Sequence, residues 1–195
     1  MKSKLYYPVN LDLQHKACVV IGGGDVAWRK ARSLLACGAA VTVVSPQVKD
    51  KMAALIRSGK VRRLDQSYQK AHLKGAFLVV AATNDVDANK AVARDAAARN
   101  ILVNVVDVPA LCNFIVPAVI RRGPLAMAVS TGGQSPLLAK ALRKKCEKCL
   151  KPAHGDLARA LGAARKDVQR CCKTASARKA AYQKIMKARP FAGLL

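Results

Sequence analysis

The chain has 195 residues, 52% of them hydrophobic, which provides for a real core and excludes global disorder. It carries 35 Lys and Arg against 11 Asp and Glu, a net charge of +24. The excess is uneven, with 17 basic and 8 acidic side chains in residues 1–112 and 18 and 3 in residues 113–195. Such a field attracts anions, and nucleic acid, a membrane surface and an acidic small molecule all qualify.

In chain order, Met1-Lys2-Ser3-Lys4 is followed by no apolar signal segment, and no later run has the length of a membrane span. The protein is therefore expected in the cytoplasm. Residues 17–106 alternate short β-branched runs with helical stretches, the pattern of a parallel sheet flanked by helices. Strands are predicted over Cys18–Ile21, Val41–Val44, Val61–Leu64, Phe77–Ala82 and Ile101–Val106, and helices over Val26–Cys37, Lys49–Arg57 and Asp85–Arg99. Gly38 and Gly59 close the first two helices. The pattern then changes. Phe114–Ile120 and Leu125–Ser130 read as a hairpin joined by Arg121-Arg122-Gly123-Pro124, with Pro117 marking an edge or bulge. Ser135-Pro136 starts a helix whose apolar face is Leu137, Leu138, Ala141 and Leu142. Two Ala/Lys/Arg-rich helical stretches follow, near Gly155–Cys172 and Ser176–Ala188. The expected organisation is an α/β Rossmann-type parallel sheet in residues 1–112, a small dimerisation region in 113–150 and a C-terminal helical domain in 151–195.

Seven cysteines, an odd number with two in the predicted core, read as reduced thiols rather than a disulfide framework. Cys146-x-x-Cys149 lies on a predicted helix, and the adjacent pair Cys171-Cys172 suits a tetrahedral ion poorly, so no metal site is expected. His15, His72 and His154 form no cluster.

The strongest motif is the strand Ala17-Cys18-Val19-Val20-Ile21 running into Gly22-Gly23-Gly24-Asp25-Val26-Ala27 and then a helix. Gly22 permits the tight turn, Gly24 lets a pyrophosphate approach the backbone, and Ala27 allows close helix–strand packing. The helix N-terminus then offers free N–H groups and partial positive charge to phosphates. At the end of the second strand, Val43-Val44-Ser45-Pro46-Gln47 has no acidic residue for a ribose 2′-OH, which Ser45 can bond instead. No arginine stands there for a 2′-phosphate, and the nearest cation is Lys49, so NAD is favoured over NADP.

Val20-Ile21-Gly22-Gly23-Gly24-Asp25-Val26-Ala27-x-Arg29-Lys30-Ala31, Ala81-Ala82-Thr83-Asn84-Asp85, Asn104-Val105-Val106-Asp107 and Ser130-Thr131-Gly132-Gly133-Gln134-Ser135-Pro136 occur in this order. Over about residues 5–150 the sequence resembles the precorrin-2 dehydrogenase/sirohydrochlorin ferrochelatase family, the N-terminal module of siroheme synthase. The resemblance implies NAD-dependent oxidation of precorrin-2 to sirohydrochlorin, Fe²⁺ insertion in some members, and a homodimer formed through the hairpin region. It adds Asp25, Val26, Pro46, Gln47 and Thr83 to the nucleotide site already read from Gly22, Gly23, Gly24 and Ser45, and places the catalytic carboxylate on Asp107. The family's serine beside the Gly-Gly pair, a phosphorylation site in some members, is Thr131 here. Asp107 follows the last core strand at its C-terminal end, where ligands bind in open α/β sheets, and a carboxylate there can take the proton lost with a hydride. Asn104 and Asn113 are polar neighbours without a role. Such a substrate carries eight carboxylates and gives the basic surface a use, with Arg121, Arg122, Lys140, Arg143 and Lys144 as candidate contacts.

Three other readings compete: a dehydrogenase without chelatase activity, a nucleotide-sensing module with a basic nucleic-acid-binding tail, and a Rossmann-type ion-transport regulator. The tail reading is weakened by the scarcity of aromatic residues, with only Tyr182 and Phe191 after residue 114.

Overall fold

The computed structural model describes residues 4–194, which fall into two compact units divided between Val116 and Pro117. In the first, β1 (Ala17–Ile21), β2 (Ala40–Val44), β3 (Val61–Leu64), β4 (Leu78–Ala81) and β5 (Leu102–Val105) form one sheet in the order β3-β2-β1-β4-β5. All four pairings are parallel. Its central strands are near-continuous Val and Ile because both faces are covered. Val20, Val43 and Val80 point to the face packed by α1 (Asp25–Leu35) and α2 (Asp50–Arg57), through Ala27, Ala31, Leu34 and Met52. Val19, Val79 and Val103 point to the other face, covered by Val92, Ala93 and Ala96 of α3 (Val86–Ala97).

The chain lays β2 and β3 to one side of β1, then returns to place β4 on the other. That reversal opens a crevice at the C-terminal ends of β1 and β4, where doubly wound sheets bind ligands. On α1, Trp28 is half-buried beneath two cations, with Arg32 at 4.9 Å and Lys51 at 5.2 Å from its ring centre.

The second unit begins with an antiparallel hairpin, β6 (Ala118–Arg122) and β7 (Leu125–Val129). The first hairpin strand starts four residues later than the apolar run in the sequence, and Arg121 and Arg122 belong to the strand rather than the turn. The cause lies upstream. Asn113 is pinned to β5 by a bond from Val103 N–H to its Oδ1 at 2.7 Å and by its own Nδ2–H to the Ile101 carbonyl at 2.9 Å. Pro117 then lacks an N–H for a ladder, so pairing begins after it. Gly123, with φ +57°, makes the turn.

Three helices follow: α4 (Pro136–Cys149), α5 (Pro152–Cys171) and α6 (Ala175–Lys187). Ser135 caps α4 as expected, accepting from Leu138 N–H at 3.1 Å, and Thr174 caps α6 from Ala177 N–H at 3.2 Å. α5 packs directly on the hairpin, for a Cβ at Gly155 would stand 2.3 Å from the Arg122 carbonyl oxygen. The apolar face of α4 faces solvent, with Leu137 80%, Leu138 50% and Leu142 41% exposed. No helix among the described residues is long and apolar enough to cross a membrane.

Candidate functional site

The crevice is a cleft of about 490 Å³. Its floor is the turn after β1. Gly22 has φ +115°, and a Cβ on it would lie 2.4 Å from the Ala82 carbonyl oxygen, so the ends of β1 and β4 close up only around glycine. Gly23 answers to a different neighbour: a Cβ there would meet the Gln47 carbonyl oxygen at 2.1 Å. The loop after β2 thus lies against the glycine turn, held by Lys49 N–H donating to the Gly23 carbonyl at 3.0 Å. Around Gly24 there is nothing within 4 Å of an added Cβ. That open space is what a close-approaching phosphate group needs.

Two helices begin at this cleft, and their N-termini differ. α3 is closed by its own cap, with the Asp85 carboxylate accepting from Asp87 N–H at 3.0 Å and Ala88 N–H at 2.9 Å. α1 starts at Gly24 with no side-chain cap, which leaves its first N–H groups free for an anion. The carboxylate of Asp25, in the first turn of α1, is neutralised by Lys49 at 2.6 Å. The hydrogen bond and charge of Lys49 hold Asp25 below the usual carboxylate range, and the same contact raises Lys49. The negative charge nearest the open N-terminus is therefore already compensated.

Gly22, Gly23, Gly24, Ser45, Pro46, Gln47 and Thr83 all line the cleft, so the structure brings together most of the residues expected for the nucleotide. Ser45 is buried, and its hydroxyl donates to the Gln47 carbonyl at 2.6 Å, leaving the oxygen lone pairs as what it can offer. Thr83 is locked to α3: its Oγ1 lies 2.9 Å from the Asp85 carbonyl and 3.1 Å from Asn89 Oδ1, and Asn89 Nδ2 donates back to the Thr83 carbonyl at 3.0 Å. Asp25 and Val26 follow the turn but do not line the cleft.

Asp107 also stands outside the cleft, exposed on the turn after β5 with φ +60°. A non-glycine residue in this conformation is uncommon. It neighbours a polar group centred on Asn104, which is 7% exposed. Asn104 Nδ2 donates to the Phe114 carbonyl at 3.3 Å, and Lys30 Nζ of α1 reaches Asn104 Oδ1 at 3.4 Å.

Sequence reasoning missed several residues here. Gln66, Ser67 and Tyr68 form a wall of the cleft. The Tyr68 hydroxyl donates to buried Asp95 at 3.0 Å, and burial followed by that bond raises its pKa well above the ordinary tyrosine range. A polar-aromatic loop after the third strand was the available signal. An arginine does serve the end of β2: Arg63 of β3, paired in register with Val43, donates to the Pro46 carbonyl at 2.8 Å and contacts Asp65 at 2.9 Å. Only strand register could reveal it. Among the basic residues expected around the substrate, Arg122 and Arg143 both engage Glu147, at 3.6 and 2.7 Å. Among the described residues no three His, Cys, Asp or Glu side chains converge as a metal-binding group, and none of the seven cysteines is in a disulfide.

An open Rossmann crevice, a glycine cradle and an uncapped helix N-terminus define a dinucleotide-binding protein. The model of a putative NAD(P)-binding family matches residues 9–118, and that of the sirohaem biosynthesis protein central domain matches residues 122–148. The chain belongs to this NAD(P)-binding family, in the form of the N-terminal module of siroheme synthases. It is 47% identical over 151 residues to a siroheme synthase of Methylobacillus flagellatus, covering 77% of this chain and 32% of that protein. With a siroheme synthase of Photobacterium profundum it shares 38% identity over 184 residues, 94% of this chain and 39% of the relative. The chain thus spans about a third of the length of these curated relatives. A solved structure of SirC, precorrin-2 dehydrogenase, superposes with a TM-score of 0.80 at 29% identity, covering 96% of this chain and 92% of that one.

Proposed function

We propose that the protein oxidises precorrin-2 to sirohydrochlorin with NAD, working in the cytoplasm as a homodimer. The observation that carries this reading is the likeness to SirC across both units. The cleft fits the cofactor in its own right, because, of its three lining glycines, Gly24 is the one whose Cβ would meet no protein atom, and it stands at the helix N-terminus that no side chain caps. On this reading the free N–H groups of α1 and the Gly22-Gly23-Gly24 backbone hold the pyrophosphate, with Asp25 and Val26 starting the helix behind it. Ser45, Pro46 and Gln47 flank the ribose, and Thr83 forms the opposite lip. Bound NAD supplies the hydride acceptor. The Asp107 carboxylate takes the proton that the substrate loses with the hydride.

Iron insertion is a natural second activity for the same carboxylate, which would accept the pyrrole N–H protons displaced by Fe²⁺, the metal entering as substrate. The exposed leucines of α4 are what a second copy of the chain would cover.

The test is anaerobic incubation with precorrin-2 and NAD, following the sirohydrochlorin spectrum. Asp107→Asn is expected to slow oxidation by about two to four orders of magnitude, the scale of general-base catalysis, with NAD affinity unchanged. Near-wild-type oxidation by that variant would place the base elsewhere. Sirohydrochlorin and Fe²⁺ supplied directly to the same proteins separate a shared site from a redox-only role for Asp107.

A further inference from the structure

Lys30 is half-buried on α1, and its ammonium reaches the side chain of Asn104 in β5. Its recorded hydrogen bond, to Asn104 Oδ1, is long at 3.4 Å, and among the described residues no carboxylate lies within 4.0 Å of it. An ammonium has three donors and is strongly hydrated, so withdrawing it from water with one weak acceptor is unfavourable. Asn104, by contrast, is fully committed. Its Oδ1 receives Lys30, while its Nδ2 faces the Phe114 carbonyl at 3.3 Å and Cys112 Sγ at 3.5 Å. The amide is fixed by the strand and the turn beyond it, and it tethers the lysine without satisfying it. The group lies apart from the nucleotide cleft and beside the turn that carries Asp107.

We propose that Lys30, tethered by Asn104, is the binding site for one carboxylate of the substrate and seats it against Asp107. This rests on the function proposed above and adds a contact made by the first unit itself. A carboxylate, anionic and acceptor-only, would accept hydrogen bonds from the ammonium N–H groups that the protein leaves unused. The cation is placed to bind rather than to exchange the transferred proton, which remains with Asp107. The assignment also separates Lys30 from exposed lysines such as Lys49 and Lys90, whose charges are already matched by Asp25 and Asp87.

Charge in the neighbourhood supports a pH signature. Burial lowers the Lys30 pKa from its ordinary 10.5; Cys112 and Asp107 oppose that shift, and adjacent Arg29 adds to it. A carboxylate site needs the protonated form, so substrate affinity is retained below the folded pKa of Lys30 and lost as pH rises through it. The loss therefore sets in at lower pH than for an ordinary lysine.

The experiment uses the intact chain with precorrin-2 and NAD under steady-state conditions. Lys30→Met keeps the aliphatic stem and removes the charge. The KM for precorrin-2 is expected to rise about 10- to 100-fold, the worth of a charge-assisted hydrogen bond, with NAD affinity and thermal midpoint unchanged. Lys30→Arg should recover much of the affinity, and the alkaline rise of KM expected of the wild type should be absent from Lys30→Met. Asn104→Leu, which preserves volume but frees the lysine, should raise KM by a smaller factor. An unchanged KM in folded Lys30→Met, or a fall in kcat with KM intact, overturns the carboxylate site. If the wild-type protein leaves precorrin-2 unoxidised, the proposed function itself has failed. Oxidation by the wild type with an unaltered KM in Lys30→Met rejects the Lys30 site alone.

Discussion

The two units spend their hydrophobic residues differently. Residues 4–116 bury a sheet on both faces, and side chains such as Val20, Val43, Val79 and Val92 are wholly enclosed. In residues 117–194 the buried hydrophobic side chains are Ile120, Ala139, Leu150, Leu157 and Val168, while Leu137, Leu138, Leu142 and Met127 remain exposed. Ion pairing differs as well. The acidic residues of the second unit are Glu147, Asp156 and Asp167; Arg122 and Arg143 engage the first, Arg159 the second and Arg170 the third. Its surplus charge is thus mainly lysine. The first unit is built to hold a rigid nucleotide cradle by itself. The second is a thinner framework that leaves an apolar helix face exposed.

The sharpest way to break this contrast is at the glycine turn. Gly22→Ala and Gly23→Ala each bring a Cβ against backbone oxygen, at 2.4 and 2.1 Å, and are expected to lower stability by about 2–4 kcal/mol in chemical denaturation. Gly24→Asp meets no protein atom, so the same melts should change by less than about 0.5 kcal/mol. Its NAD affinity should fall at least about 100-fold through steric block and like-charge repulsion, as read by calorimetry. Unchanged affinity in that folded variant would remove the cofactor from this turn.

The second unit makes its own predictions. Leu157, 5% exposed on α5, is expected to cost about 2–3 kcal/mol when truncated to Ala, and hydrogen exchange should show the loss in residues 117–194 while NAD binding persists. Leu137→Ser with Leu138→Ser should leave the monomer's stability within about 0.5 kcal/mol, yet sedimentation should shift from dimer to monomer. A monomeric wild type would remove the proposed homodimer. The smallest effect is Ser135→Ala, about 1 kcal/mol from the lost cap of α4.

Most of the first unit was legible because its signals are local. A buried β-branched run followed by Gly22-x-Gly24-x-x-Ala27 specifies strand, turn and helix together, and the observed strands and α-helices differ from the expected ones only at their ends, while the 3-10 turns Lys70–Leu73 and Pro109–Leu111 were not foreseen. What escaped depended on register and on contacts distant in sequence. Gly23 reads as part of a cofactor motif, whereas its tightest constraint is the loop after β2. Arg63 is invisible as a neighbour of Pro46 until β3 is paired with β2. Lys30 and Asn104 are 74 residues apart, so nothing local joins them. In the second unit the helices were readable from composition and caps, but periodicity could not say that the α4 leucines face outward. An apolar stripe looks the same whether its cover comes from the same chain or another.

Trp28 gives the molecule an optical gauge of its own. It is the single tryptophan, four residues beyond Gly24 on the helix that starts at the cradle, and two cations hold its ring. Its ring packs among residues of the first unit, so its emission spectrum reports on the fold of that unit. Reduced nicotinamide absorbs where indole emits, and energy transfer from Trp28 would signal occupancy of the cleft without any label. One fluorophore thereby reads ligand occupancy at the cradle directly, which the helical signal of circular dichroism does not.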